Sequence, residues 1–485
     1  MELRRRQLSN GETKDVPPRQ KKAVPSSFLK MRPKKVIITL SILFFFYIAL
    51  SFNSEPLRFG SSMIDRLASS LNLHKQQYVV IIDAGSTGSR VLAFTFHNSI
   101  LNNDLVLDSE LFAEVKPGLS SFADDPQAGV ETLRTLLDKA KAVIPESAWA
   151  HTPVSMKATA GLRLLPRAKA DNIIQECRKF FSQSGFFTTK NSVSIMEGVD
   201  EGIFAWFTVN FLTGRLSSYK NDNTAAVLDL GGGSTQITYA LDEEDLKVLD
   251  KHYYTINAFN RNMTLYTYSY LGMGLMAARK GVLTGFGHHQ EDKDQAPKVQ
   301  EAQEAQEAQE VLVRSECVNP IVSAKWSYAG VNYLVKGPVN GTHKKVKGWN
   351  GAVTEEDRPV VRVNECIKVV KNYIDTIDEK PVGLAKHNIY AVSYYYDRAT
   401  EAGLIDPFTG GVITLQSFHK KLVEICNYPN TDQPFMCLDM TFIYVLLHDA
   451  FGLDHTTKLN LYKKYNGHEL SWSLGAAFSL LDSDL

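Results

Sequence analysis

One structural unit is written twice in this chain, and the repetition limits what it can fold into. An apolar run, an aspartate, glycines, a Ser-Thr pair and a second apolar run occur at YVVIIDAGSTGSRVLAF (78–94) and recur at AAVLDLGGGSTQITYA (225–240). Apolar runs this short, bounded by glycine, read as buried strands. Each copy is therefore a strand, a tight turn and a second strand, and two copies imply two related lobes facing each other. The pattern predicts strands at 78–83, 91–96, 225–230 and 234–240, and a strand running into a loop at 154–160. It predicts helices at 127–145 and 201–212. Strands alternating with helices indicate an α/β fold.

The turns themselves carry the chemistry. In Asp83-Ala-Gly-Ser-Thr-Gly-Ser-Arg90, Gly85 and Gly88 let the backbone turn sharply. Backbone N–H groups and the hydroxyls of Ser86, Thr87 and Ser89 can then converge on phosphate oxygens. Asp83, at a strand end, can hold a hard cation directly or through water. The second turn, Asp229-Leu-Gly-Gly-Gly-Ser-Thr-Gln236, offers the same parts from the opposite side through Gly231, Gly232, Gly233 and Thr235. One Gly-Ser-Thr loop is as easily a plain turn; two matched copies, each with Asp at a strand end, favour a phosphate site. The chain contains no Gly-Lys dipeptide, which excludes a P-loop, and neither HExxH nor GxSxG occurs. His288 and His289 read as a solvated loop.

Charge is distributed unevenly. Lys+Arg and Asp+Glu balance at 53 each, but residues 1–35 hold eleven basic side chains against three acids. The remainder carries about eight net negative charges, which argues against a nucleic-acid partner. Val36 to Ser54 is uncharged over 19 residues, ~28 Å as a helix, close to a bilayer's hydrocarbon core. Basic residues before it and Glu55 after it place the N-terminus in the cytosol and the body across the membrane. A cleaved signal peptide is the competing reading, but the long basic lead and the bulky end of the apolar run fit an anchor better. An exported body permits disulfides. Cys426 and Cys437 flank a short loop with Pro429 and Pro434, Cys317 with Cys366 is the natural second pair, and Cys177 lies in a helix-like run as a free core cysteine. The sequons at Asn262 and Asn340 are compatible with luminal glycosylation. QEAQEAQEAQE (300–310) is low-complexity, and 281–310 reads as a flexible insertion.

Five stretches occur in order: IIDAGSTGSR (81–90), KATAGLRLLP (157–166), MEGVDEGIFAWFTVNFLTG (196–214), VLDLGGGSTQITY (227–239) and SWSLGAAF (471–478). Together they resemble the conserved regions of the apyrases, the ecto-nucleoside triphosphate diphosphohydrolases. KPGLSSFADDP, YSYLGMG, SYYYDRATEAGLID and the four later cysteines resemble that family's luminal nucleoside-diphosphatase branch, members five and six. The resemblance implies two actin/Hsp70-like (RNase H-like) lobes with the nucleotide in the cleft between them. Lobe I is then 76–197 plus 466–485 and lobe II 198–465, after a basic cytosolic tail (1–35), a transmembrane signal anchor (36–54) and a stem (55–75).

The resemblance also implies roles. Glu201 matches the catalytic glutamate that takes a proton from the attacking water, with Glu197 and Asp200 as nearby competitors. Ser234 and Gln236 match the residues that orient that water. Asp83, Thr159 and Asp229 match positions around the water shell of Ca2+ or Mg2+, and Trp472 matches an aromatic beside the metal. Tyr394, Tyr395 and Tyr396 fall where the family stacks the base, Tyr395 and Tyr396 being the favoured rings and at least one of the three belonging to the core. Arg163 reads as a salt-bridge partner. The expected reaction is hydrolysis of the terminal phosphate of nucleoside diphosphates, UDP and GDP before triphosphates, in the Golgi or endoplasmic reticulum lumen, in support of glycosylation. A broad apyrase, a kinase or polyphosphatase on the same two-loop fold, and a non-enzymatic nucleotide-binding membrane protein are the alternatives.

Overall fold

The computed structural model describes residues 38–45, 47, 75–99, 105–217, 224–249, 251–258, 261–285, 310–347 and 355–481. Residues 38–45 and 47 are helical and belong to a unit separate from the body. No described helix is long and apolar enough to cross a membrane. Apart from those nine residues and Lys75, the anchor at 36–54 and the stem at 55–75 lie outside the described residues.

Two mixed sheets organise the body. The first has the order β3-β2-β1-β4-β5 and is built from β1 (Gln77–Ala84), β2 (Ser89–Asn98), β3 (Leu105–Val115), β4 (Val154–Ala158) and β5 (Val193–Ile195). The second contains β6 (Ala226–Leu230), β7 (Ser234–Ala240), β8 (Tyr253–Ala258) and β9 (Arg261–Leu271). Beyond a three-stranded sheet of β10 (Val311–Arg314), β11 (Ser323–Tyr328) and β12 (Val331–Lys336), and a ribbon of β13 (Thr342–Lys347) and β14 (Glu355–Val360), the chain returns to it. There it adds β15 (Ile389–Ser393), β16 (Gly411–Thr414) and β17 (Lys458–Leu461), giving the order β16-β17-β15-β6-β7-β9-β8.

The repeat seen in the sequence is a repeat of topology. In the first sheet β1 runs antiparallel to β2, β2 antiparallel to β3, β1 parallel to β4 and β4 parallel to β5. In the second, β6 runs antiparallel to β7, β7 antiparallel to β9, β6 parallel to β15 and β15 parallel to β17. The two Asp-bearing strands, β1 and β6, hold the same place in each pattern. Both are buried, which is why they read as continuous apolar runs.

Helices cover these sheets. In chain order they are α1 (Pro126–Val143), α2 (Ala160–Arg163), α3 (Arg167–Ser182), α4 (Gly198–Leu212), α5 (Leu275–Thr284), α6 (Val363–Ile374), α7 (Tyr394–Glu401), α8 (Leu415–Cys426), α9 (Met436–Val445), which continues as a π turn to Ala450, and α10 (Trp472–Leu481). Asp125 caps α1, its carboxylate accepting from Ala128 N–H, and Pro126 sits in the first turn, where a missing N–H costs nothing. α5 runs to Thr284 with Val282 and Leu283 buried, so the insertion expected from 281 begins later. The low-complexity tract had masked the apolar end of a helix, and residues 286–309 lie outside the described residues.

Two helices tie the sheets together. α4 follows β5 yet packs on β6, β7 and β9, while α10 follows β17 and packs on β1 and β2. They pack on each other, with the Phe478 ring 4.6 Å from Phe211, 5.1 Å from Phe207 and 5.3 Å from Phe96. α4 is apolar almost all round because both of its sides are covered. At the crossing Gly475 donates its N–H to Thr208 Oγ1 at 3.0 Å, and a methyl group there would overlap the backbone of Phe204. Gly475→Ala is expected to cost about 1–3 kcal/mol through overpacking, read as a lower denaturant midpoint with an unchanged slope.

Candidate active site

β1 ends at Ala84 and β6 at Leu230, and each is followed by a turn closed in the same way. Gly85 N–H donates to the Gly88 carbonyl at 3.0 Å, and Gly231 N–H donates to the Ser234 carbonyl at 3.0 Å. The two turns meet. A methyl group on Gly232 would overlap Ser86 Oγ and lie 2.8 Å from Thr87 Cγ2, so glycine lets the turns meet without displacing either side chain. They form the floor of a cavity of about 640 Å3, lined by Gly85, Ser86, Thr87 and Gly231 to Gly233. Asp83, Thr159, Glu201, Asp229, Ser234 and Trp472 face the same space.

Glu201 stands in the first turn of α4 and is buried. Arg163, at the end of α2, donates from Nη2 to its Oε2. Gln236 on β7 donates from Nε2 to the same oxygen at 3.1 Å, to Ser234 Oγ at 2.7 Å and to Ser269 Oγ at 3.0 Å. Arg163 also reaches Ser269 and Ser234 at 3.4 Å. Oε1 of Gln236 is buried with no hydrogen-bond partner among the described residues, an acceptor suited to a water O–H. Burial pushes Glu201 up to about 8; Arg163 pulls it down, and Asp229 and Asp83 push it up further. Glu197 and Asp200, the neighbouring acids, are exposed and outside the cavity lining.

Asp83 accepts from Arg90 at 3.1 Å through Oδ2, and Arg90 also pairs with Glu114 at 2.9 Å. Oδ1 of Asp83 is buried without a hydrogen-bond partner among the described residues. Burial raises the Asp83 carboxyl against the pull of Arg90. Burial also pushes Asp229 up to about 6; the Ser393 hydroxyl, donating to it, opposes the rise, and Asp83 adds to it. Ser393 holds φ 59°, a strained conformation at the end of β15. Thr159 opens α2 without capping it, so its hydroxyl is not spent on the helix.

These groups fit a hard cation. An orphaned buried carboxylate oxygen, a second carboxylate and a hydroxyl face one cavity. Among the described residues no group of three or more His, Cys, Asp or Glu could hold a metal ion. The protein would therefore supply two carboxylates at most, the remaining ligands being water and phosphate oxygens.

A model of the GDA1/CD39 (nucleoside phosphatase) family matches residues 70–484. The chain belongs to the GDA1/CD39 family. It is 41% identical over 411 residues to ectonucleoside triphosphate diphosphohydrolase 5 of Ailuropoda melanoleuca, covering 84% of this chain and 88% of that protein. Identity is 40% over 411 residues, with the same coverage, to nucleoside diphosphate phosphatase ENTPD5 of Homo sapiens. It is 38% over 432 residues to ectonucleoside triphosphate diphosphohydrolase 6 of Homo sapiens, covering 88% and 81%. Among solved structures, a nucleoside triphosphate hydrolase of Neospora caninum covers 88% of this chain and 96% of its own at 13% identity and a TM-score of 0.49. As a GDA1/CD39 protein the chain is a nucleoside phosphatase, a hydrolase of phosphoanhydride bonds.

Not every residue singled out in the sequence faces the cleft of this GDA1/CD39 enzyme. Tyr395 does not: it is 1% exposed and its hydroxyl lies 3.4 Å from Thr235 Oγ1, behind the second turn. A ring packed there cannot stack a base. Tyr394 and Tyr396 line the cavity, on the adjacent positions of α7. Thr235 spends its hydroxyl on the Asp229 carbonyl at 2.9 Å, and Ser89 is fully buried. These two, with Gly88, shape the turns and do not line the cleft. Cys317–Cys366 and Cys426–Cys437 are disulfides and Cys177 is a buried thiol. Asn262 and Asn340 are exposed. Sequence reasoning missed Ser269 and Ser393 and undervalued Arg163. All three lie in stretches quoted above, Ser269 in YSYLGMG, Ser393 in SYYYDRATEAGLID and Arg163 in KATAGLRLLP, but only Arg163 has a side chain whose charge calls for a partner.

A base must be ionised to accept a proton, so activity should fall as pH drops through the Glu201 pKa. Because burial raises that pKa, the acid limb of kcat/KM should lie above the ordinary carboxylate range. Arg163→Met removes the group that holds Glu201 down and should move the limb to higher pH in a rate-versus-pH profile.

Proposed function

We propose that the chain hydrolyses the terminal phosphate of nucleoside diphosphates to monophosphates, with UDP and GDP preferred and triphosphates accepted more weakly. The observation that carries this reading is the buried Glu201, joined to Gln236 and Ser234 beside two touching glycine turns. The turn amides and the hydroxyls of Ser86 and Thr87 bind the phosphate oxygens. Ser234 and Gln236 orient a water, and Glu201 takes its proton as it attacks in line. A divalent cation, Ca2+ or Mg2+, held through water at Asp83, Asp229 and Thr159 with Trp472 alongside, would neutralise phosphate charge and polarise the bond that breaks. The diphosphate preference draws support from the name of one relative at 40% identity, the nucleoside diphosphate phosphatase ENTPD5 of Homo sapiens.

The basic first 35 residues and the uncharged stretch 36–54 support a type II membrane anchor. The two disulfides fit an oxidising lumen, that of the Golgi or endoplasmic reticulum. There the enzyme would remove the nucleoside diphosphate left by sugar transfer and so support glycosylation.

The full-length chain should release phosphate from UDP and GDP faster than from ADP, UTP or ATP with calcium or magnesium, and lose this in EDTA. No release from any nucleotide would overturn the hydrolase reading, and triphosphates hydrolysed as fast as diphosphates would favour a broad apyrase. Glu201→Gln should lower kcat by about a thousandfold or more while calorimetry still records nucleotide binding. Near-normal turnover by that variant would remove Glu201 as the base.

A further inference from the structure

α4 rests on the second sheet through two glycines. Gly198 and Gly202 are one helical turn apart and share a face of the helix, and Glu201 belongs to the same face. A methyl group on Gly202 would lie 2.6 Å from Thr238 Oγ1 and 2.7 Å from Thr267 Oγ1. One on Gly198 would overlap the side chains of Ser269 and Arg163. The helix therefore lies directly on β7 and β9. Beneath it three polar residues stand in one row across three strands. Gln236 on β7 is paired with Asp229 on β6 and with Ser269 on β9, and directly paired residues share a sheet face.

Ser269 does not line the cavity, whereas Ser234 and Glu201 do. It sits behind the base and touches both groups that hold it. Gln236 donates to its Oγ from Nε2 at 3.0 Å, and Arg163 from Nη1 at 3.4 Å. The Gln236 amide has two hydrogens on Nε2, yet three oxygens lie within its reach: Glu201 Oε2 at 3.1 Å, Ser234 Oγ at 2.7 Å and Ser269 Oγ at 3.0 Å. One of the three must go without. With one hydrogen on Glu201 and the other on Ser269, the Ser234 hydroxyl is left to a water in the cavity. Oε1 of Gln236, buried and without a hydrogen-bond partner among the described residues, is then held as a second acceptor for that water. With no hydroxyl at 269, the second hydrogen turns to Ser234 and occupies the group that faces the water. Arg163 loses an acceptor at the same time and holds Glu201 less firmly.

We propose that Ser269 is a positioning residue for the hydrolysis: from outside the cavity it anchors Gln236 and Arg163 on Glu201 and leaves Ser234 to the attacking water. The proposal rests on Glu201 being the base and adds to it the residue that aligns its partners. It is tested on the full-length enzyme with UDP as substrate. Ser269→Ala should lower kcat about tenfold, the worth of one hydrogen bond, leave KM within about twofold, and move the acid limb of kcat/KM to higher pH. Introduced into Gln236→Ala, it should lower kcat by less than about twofold more, because the amide through which Ser269 acts is already gone. A Ser269→Ala enzyme with the wild-type kcat and pH profile would overturn the proposal. So would a full tenfold loss in the Gln236→Ala background, or a lower kcat with a lower melting temperature and an unmoved acid limb, which marks a merely structural role. Wild-type enzyme that released no phosphate from UDP, or a near-normal Glu201→Gln, would sink the reading of the base itself. An active wild type, an inactive Glu201→Gln and a silent Ser269→Ala would strike this proposal alone.

Discussion

Gly232 lies so close to the Ser86 hydroxyl that a methyl group would not fit between them, and this contact sets the demands on the rest of the body. It requires the ends of β1 and β6 to converge although they belong to different sheets. The repeated topology meets that demand, because both strands hold the same position, between an antiparallel and a parallel neighbour. It also requires both turns to be tight, and each closes with the same backbone hydrogen bond at 3.0 Å. The result is a surface of amides and hydroxyls with room for phosphate oxygens and no bulky side chain in the way.

Electrostatics at this floor are deliberately unbalanced. Asp83, Asp229 and Glu201 share one cavity, and burial raises all three. Arg90 holds Asp83 and Arg163 holds Glu201, while Asp229 accepts from the Ser393 hydroxyl and feels Arg90 only as a weaker, more distant charge. A substrate phosphate would add further negative charge to a site already short of cations. A divalent ion held at Asp83 and Asp229 would relieve that excess, and would lower the Glu201 pKa by offsetting two of the influences that raise it. Metal binding and the protonation of the base would then be linked through the same carboxylates.

The parts of the site that could be read from sequence are those where backbone demands dictate residue type. Asp at a strand end followed by glycines is such a case, and so is the repetition of that pattern at 83–90 and 229–236. Strands β1 and β6 were equally legible because burial on both faces favours a continuous apolar run, whereas β7, STQITYA, was legible as the second strand of the repeat. The rest depends on contacts between residues far apart in the chain. Nothing near Ser269 says that its hydroxyl will accept from Gln236, 33 residues earlier. Nothing in Tyr394-Tyr395-Tyr396 says which ring turns inward; that is settled by Thr235 and the second turn packing behind it. The strain at Ser393 is likewise invisible, since serine carries no preference for positive φ. The expected insertion from 281 overran the end of α5, because Val282 and Leu283 are the last buried apolar residues before a long polar stretch.

Glu201 joins the two sheets. It stands on α4, which leaves the first sheet and packs on the second. Its hydrogen-bonding partners come from both sides: Arg163 follows β4 of the first sheet, and Gln236 lies on β7 of the second. Asp83 and Asp229 are divided between the sheets in the same way. Arg163 and Asp83 thus come from the first sheet and Gln236, Ser234 and Asp229 from the second, and the site is complete only where the two meet. Arg163 is the strongest influence opposing the rise that burial imposes on Glu201, so the contact between the two sheets bears directly on the protonation of the base.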